Sequence, residues 1–173
     1  MNLPGLRAFR FPSTGDKQPT DMGRNSKSIE YLAEKELRER VRASNTARQF
    51  GFAVQHAERG KVTMRMPVNA RHKQAHGVVH GGVLAALADT AGGLATYMAC
   101  PIGTRVATVE MKINFLEAVE AGNITAEAEV VRLGRHIAVA DCDLRDDSDR
   151  LVAKALMTFF VGPFRKNRKK RRS

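Results

Sequence analysis

The sequence predicts an α+β domain in which a curved antiparallel sheet of five or six strands wraps one central apolar helix, with an extra helix at the N-terminal side. Three features point there. Beyond residue 50, apolar residues recur with a period of two in one stretch after another, as in strands with one buried face. The turns between these stretches, Arg59-Gly60, "EAGN", "LGRH" and "DDSD", are too short for parallel crossovers, so successive strands pair antiparallel. One segment, "VLAALADTAGGLATYM", is instead apolar on almost every side, and a helix of that kind must be enclosed on most sides.

Residues 1–27 are rich in Pro, Gly and Ser without periodicity and read as a flexible arm. From Ser28, a fitting N-cap, "SIEYLAEKELRERVRASNTARQF" sets Ile29, Leu32, Leu37, Val41 and Phe50 among charges, which predicts an amphipathic surface helix over residues 28–49. Its charges read as a solvated face rather than a binding site. "FAVQHAE" and "KVTMRMPV" follow as two strands, with Val62, Met64 and Met66 on one face. The loop "NARHKQAHGVVHGG" leads into the central helix, about Val83 to Met98, which Pro101 and Gly103 close. In "RVATVEMKINFLEA", alternation puts Val106, Thr108, Glu110, Lys112 and Asn114 on one side and Val109, Met111, Ile113 and Phe115 on the other. "NITAEAEVVRL" sets Ile124, Ala126, Ala128 and Val130 opposite Thr125, Glu127 and Glu129, and "HIAVADCDLRD" and "RLVAKALMTFFV" complete the sheet. The domain thus runs over residues 28–162, with residues 163–173 as a disordered basic tail.

At 173 residues the chain suits one domain, and 43% hydrophobic with 27% charged residues excludes a fibrous or wholly disordered class. Cys100 and Cys142 are the only cysteines, too few for a disulfide framework or a four-cysteine zinc site, so a reducing cytoplasm is the expected compartment. The N-terminal stretch lacks the unbroken apolar core of a signal peptide. The central helix nears membrane-spanning length, but its Ala and Gly content, with Asp89, Thr90 and Thr96, disfavours insertion. Of the net charge of +11, seven charges lie in "FRKNRKKRRS", and removing them leaves +4. That ending is expected to be a solubilising terminus. Contact with nucleic acid or an anionic surface is the less favoured alternative, because no aromatic residue interleaves the basic run to stack on bases.

The helix composition does not explain Asp89. A carboxylate among Leu84, Ala85, Ala86, Leu87, Ala88 and Ala91 loses hydration on burial and needs a partner or a task. Seven residues separate it from Gly82, which puts the two near one helix face, roughly 10 Å apart along the axis. The helix start at Gly81 and Gly82 offers unpaired backbone N–H groups and the positive dipole end, able to polarise a carbonyl. A general base or nucleophile must stand about 3 Å from the reacting atom, too close for Asp89 to reach a carbonyl at its own helix start. Two chains antiparallel about a twofold axis would bring one Asp89 to the other helix start, which predicts a dimer with two shared sites.

The stretch "HGGVLAALADTAGG" is similar to the signature of hotdog-fold acyl-CoA thioesterases of the phenylacetate-pathway (PaaI-like) family. "NARHKQAHGVVHGG", "VATVEMKINFLEA" and "AEVVRLGRHIAVADCDL" also look like that family, over about Phe50 to Val161. The resemblance implies hydrolysis of an acyl- or aryl-CoA thioester to free acid and coenzyme A, with Asp89 as general base or nucleophile. It implies that the Gly81 N–H polarises the thioester oxygen and that His80 orients the site. Gln74 matches a residue that positions substrate or water, and Thr108 matches a Ser or Thr near the attacking water. For the coenzyme A portion it points to Arg105, Arg132, Gly134, Arg135 and His136, with Gly82 at the helix start. No metal or redox cofactor is implied, coenzyme A being part of the substrate, and the assembly is a homodimer or homotetramer.

Plainer roles compete with these. Asp89 could pair inside a dimer core, His80 could only hold its loop, and Gly81 and Gly82 could serve tight packing. Gln74 and Thr108 read more simply as bystanders. His72, His76 and His80 have a four-residue spacing, but the intervening glycines argue for a loop rather than a zinc-binding helix face. The run Asp141, Asp143, Asp146, Asp147 and Asp149 misses the calcium-loop pattern. Two functional rivals remain: a non-catalytic acyl-CoA-binding hotdog module that could use its basic tail on nucleic acid, and a hydroxyacyl-thioester dehydratase, which needs a differently placed histidine and acid.

Overall fold

The computed structural model describes residues 31–163, so the N-terminal arm, the Ser28 cap and the basic tail from Phe164 onward lie outside the described residues. The element order is α1 (Glu34–Ala43), α2 (Asn45–Phe50), β1 (Ala53–Glu58), β2 (Lys61–Pro67), a 3-10 turn (Ala70–His72), α3 (Gly81–Ala99), β3 (Thr104–Phe115), β4 (Asn123–Leu133), β5 (Ile137–Asp146) and β6 (Leu151–Pro163). All six strands join one antiparallel sheet in the order β1-β2-β4-β5-β6-β3. The central helix α3 packs against every strand, the α+β layout expected of a hotdog domain.

Alternation explains the core. Val62, Met64 and Met66 of β2, Ile124, Ala126, Ala128 and Val130 of β4, and Ala155, Met157 and Phe159 of β6 are buried, as are Leu87, Ala88, Ala91 and Ala95 of α3. The small residues on both sides let helix and sheet approach closely. At Gly92 a Cβ would stand 2.5 Å from Met157 Cε and 3.3 Å from Phe159 Cζ, so a larger residue there would force the buried Met157 side chain to move.

Two expectations need correction. The single N-terminal helix is two: Ser44 is extended (φ −69°, ψ 129°) and its hydroxyl accepts from Ala47 N–H at 3.4 Å, capping α2. Serine competes with helix interior by bonding locally, so it ends one helix and starts the next. The first of these begins at Glu34, with Ala33 at the N-cap position and no side-chain cap. In β3 the register shifts between Thr108 and Glu110, leaving Val109 unpaired and 61% exposed. This bulge reverses the side-chain parity, so Val106 and Thr108 face the helix together with Met111 and Ile113 rather than opposite them. As its apolar composition predicts, α3 is enclosed by the sheet on most sides, and one stripe of it remains uncovered.

At the other sheet edge, α1 covers β1. Glu34 accepts from the Ala57 N–H at 3.0 Å, while Arg38 donates to the carbonyls of Val54 and Gln55, so edge groups that could pair with another strand are occupied. The Ala57 N–H, then Arg38, holds the Glu34 carboxyl below its ordinary value.

Candidate active site

The uncovered stripe of α3 runs through Gly82, Ala85, Ala86, Asp89, Thr90, Gly93, Leu94 and Tyr97, the three- and four-residue steps of one helix face. Asp89 sits at its middle, half-buried rather than enclosed. Between the stripe and β3 lies a groove of about 430 Å³, with Asp89 and Thr108 in its lining together with Gly93, Leu94, Tyr97, Arg105, Val106 and Phe159.

Thr108 is the residue the fold brings to Asp89. Its hydroxyl donates to Asp89 Oδ1 at 2.8 Å. No donor among the described residues reaches Oδ2, which leaves that oxygen free to take a proton or attack a carbon.

The helix start is built differently from the sequence expectation. His80 is the N-cap of α3, and its Nδ1 accepts from the Gly82 N–H at 2.8 Å, so Gly82 is not an open donor as expected. That bond places the ring proton on Nε2. The Val83 N–H is also occupied, donating to the His80 carbonyl at 2.9 Å. Gly81 alone keeps a backbone N–H without a partner among the described residues, at the positive end of a 19-residue helix. A Cβ on Gly81 would lie 3.1 Å from the Phe115 ring, so glycine at this position also serves the packing. Eight residues, about 12 Å of axial rise, separate this N–H from Asp89, and one chain does not bring the two together.

Gln74 lies in the loop before the helix, exposed, with its N–H donating to Val78 O at 2.9 Å and its carbonyl accepting from Gly77 N–H at 3.0 Å. It belongs to the helix-start side of the chain and does not touch Asp89. The three spaced histidines do not converge: His76 and His80 are exposed, whereas His72 is fully buried against Phe50, with ring centroids 6.2 Å apart. His72 supports the loop instead. Its carbonyl accepts from the His80 N–H at 2.8 Å, its Nδ1 accepts from the Asn69 N–H at 3.4 Å, and its buried Nε2 makes no hydrogen bond. Burial, then the neighbouring Arg71, pushes its pKa below the ordinary histidine value.

The basic candidates gather at one end of the sheet. Arg132, Arg135 and His136 are exposed in and beside the β4–β5 turn, where Gly134 N–H donates to Ile137 O at 2.8 Å. The His136 carbonyl accepts from Val161 N–H of β6 at 2.9 Å, and Arg105 faces Gly162 of that strand from β3. Arg105 therefore links this end to the groove that holds Asp89. The sequence reading passed over Leu94 and Tyr97 as groove walls, although their spacing from Asp89 on the helix could have found them. It had no signal for Arg40, whose Nη1 donates to the Tyr97 hydroxyl at 2.9 Å.

Comparison with known proteins supplies the family. Residues 76–153 match the thioesterase superfamily. A Haemophilus influenzae protein, named an esterase by inference, is 38% identical over 96 residues, 56% of this chain and 70% of its own length. The 1,4-dihydroxy-2-naphthoyl-CoA hydrolase of Listeria monocytogenes is 28% identical over 116 residues, 67% of this chain and 94% of that one. Among solved structures, a Haemophilus influenzae thioesterase superposes with a TM-score of 0.74 at 29% identity, covering 82% of this chain and 98% of that one. The zebrafish thioesterase superfamily member 2 gives 0.70 at 28% identity, covering 76% and 99%.

Proposed function

Because this chain belongs to the thioesterase superfamily, adopts the hotdog fold and is a thioester hydrolase, we propose that it hydrolyses acyl- or aryl-CoA thioesters through Asp89, in the manner of the phenylacetate-pathway branch. The observation that carries this reading is the Asp89 carboxylate, with Oδ1 held by Thr108 and Oδ2 open in a mostly apolar groove. The name of the Listeria relative supports a coenzyme A thioester as the substrate class.

In the proposed dimer, Gly81 of the partner subunit donates its N–H to the thioester oxygen and polarises the carbonyl. As general base, Asp89 takes a proton from water as the oxygen attacks the carbonyl carbon. The tetrahedral intermediate then collapses, its C–S bond breaks, and the proton returns to the departing sulfur, giving free acid and coenzyme A. As nucleophile, Asp89 instead forms an acyl anhydride, expelling the thiolate, and water hydrolyses the anhydride. Neither route needs a metal or redox cofactor. Thr108 fixes the carboxylate, and His80 keeps Gly82 occupied so that Gly81 is the donor presented. Arg105, Arg132, Gly134, Arg135 and His136 would receive the coenzyme A phosphates.

Two unsatisfied surfaces support the assembly. The open stripe of α3 and the edge strand β3, with Val109 and Phe115 exposed, would close in the dimer. On the outer sheet face Ile137 and Phe160 are exposed opposite one another, with exposed Leu156 four residues along β6, which suits a dimer of dimers. Among the described residues no helix is long and apolar enough to cross a membrane. The buried free thiols Cys100 and Cys142 suit a reducing cytoplasm.

The test is steady-state release of free thiol from aryl- and fatty acyl-CoAs, comparing the native chain with Asp89→Asn at equal dimer content. A loss of about a thousandfold or more in the variant is expected for removal of the acting group. If neither chain releases thiol while both bind acyl-CoA, the catalytic reading fails and a binding module replaces it. In a single turnover with excess enzyme in 18O-water, label found in the Asp89 carboxylate establishes the nucleophilic route, because only water attack on the Asp89 side of an anhydride puts water oxygen into that group.

A further inference from the structure

Building on that reading, we infer that Arg40 of α1 sets the acyl length the site accepts, by fixing Tyr97 as the end wall of the groove. Arg40 Nη1 donates to the Tyr97 hydroxyl at 2.9 Å, and its guanidinium carbon lies 5.7 Å from the ring centroid. Tyr97 lines the same groove as Asp89. The two are eight residues apart on one helix stripe, about 12 Å of axial rise, which measures the space between the reacting group and the wall.

Two observations separate this role from simple attachment of α1 to the domain. The helix is already held by buried Leu37 and Val41 and by the Glu34 and Arg38 bonds to β1, so the Tyr97 contact is not needed for docking. Arg40 forms no ion pair with any carboxylate among the described residues, and its bond goes to a groove wall instead. A half-exposed tyrosine left alone exchanges rotamers on a picosecond-to-nanosecond scale. Bonded at the hydroxyl and covered on one face by a cation, the ring keeps one position and closes the groove. The N-terminal helix, remote from Asp89 in sequence, thereby becomes a positioning element for substrate selection.

The test compares kcat/KM for straight-chain acyl-CoAs from acetyl to palmitoyl in the native chain, Arg40→Ala, Arg40→Lys, Tyr97→Phe and the Arg40→Ala/Tyr97→Phe double variant. Loss of either half of the pair should raise the long-to-short ratio by about tenfold, the scale set by a few methylenes in a pocket. The double variant should match the singles, because they remove one interaction, and lysine should restore part of the native ratio. Arg59 makes the same kind of pair with Tyr31, bonded at 2.9 Å with the ring centroid 4.1 Å away, and neither residue lines the groove. Arg59→Ala should therefore keep the native ratio. An unchanged ratio in Arg40→Ala and Tyr97→Phe overturns the inference, as does an equal loss on every chain length with a lowered melting point, which marks a merely structural contact. If the native chain hydrolyses none of the series, this inference is overturned, while the hydrolase reading is decided separately by the aryl-CoAs of the panel above.

Discussion

Thr108→Val is the perturbation that most directly probes the carboxylate. Valine keeps the β-branched shape that suits the strand and replaces only the hydroxyl that donates to Asp89 Oδ1 at 2.8 Å. A hydrogen bond to a charged group contributes about 1.5–3 kcal/mol, and the low end applies because Thr108 is exposed and Asp89 half-buried, so water can take its place. If that amount is expressed in the orientation of Asp89 at the transition state, kcat should fall about tenfold with little change in KM. The assay is thiol release with saturating acyl-CoA, run beside Thr108→Ser, which retains the donor and should stay within about threefold of native. Native activity in Thr108→Val would refute the positioning argument. So would serine performing as poorly as valine, since the methyl group and not the hydroxyl would then matter.

Four further outcomes follow from the packing and the protonation states. Gly92→Ala brings a Cβ to 2.5 Å from Met157 Cε, and the overpacking should exceed the helix-propensity gain and destabilise by about 1–2 kcal/mol in urea unfolding. Gly93→Ala, whose Cβ meets Phe159 at an ordinary 3.6 Å, should instead be neutral or stabilising. For His72 the folded pKa lies below that of the unfolded chain, so the unfolded state binds the proton more readily. Its contribution is complete above the unfolded value of about 6.5 and is lost as pH falls toward the folded value, by up to about 1.4 kcal/mol per pH unit. Urea midpoints measured downward from pH 7.5 should show this fall, and His72→Phe should flatten it. Burial pushes the Cys142 thiol up to about 12. It should therefore remain unmodified by a thiol reagent at pH 8 until the protein unfolds, read by mass spectrometry, and leave the thiol-release assay undisturbed.

Much of the fold was legible because its physics is local. The alternation in "KVTMRMPV" and "NITAEAEVVRL" reports burial on one face, and the short turns fix antiparallel pairing, as found in β2, β4 and their neighbours. The break at Ser44 was harder to see, since a cap residue inside an otherwise helical pattern leaves the charge and apolar spacing intact. The bulge at Val109 had no sequence mark at all. It is set by how β3 registers on β6, and strict alternation put Thr108 on the wrong side of its strand.

By itself, the sequence determined that a lone acid stands in an apolar helix, that a glycine-rich start precedes it, and that the two are too far apart to act on one atom within a chain. Those are consequences of residue type and helical rise. Only the tertiary structure decided which donors are present at each end: His80 takes the Gly82 N–H and leaves that of Gly81, the bulge turns Thr108 to Asp89, and Arg40 reaches Tyr97 from fifty-seven residues away. Those contacts depend on register and on the packing of elements remote in sequence, and no local pattern encodes either.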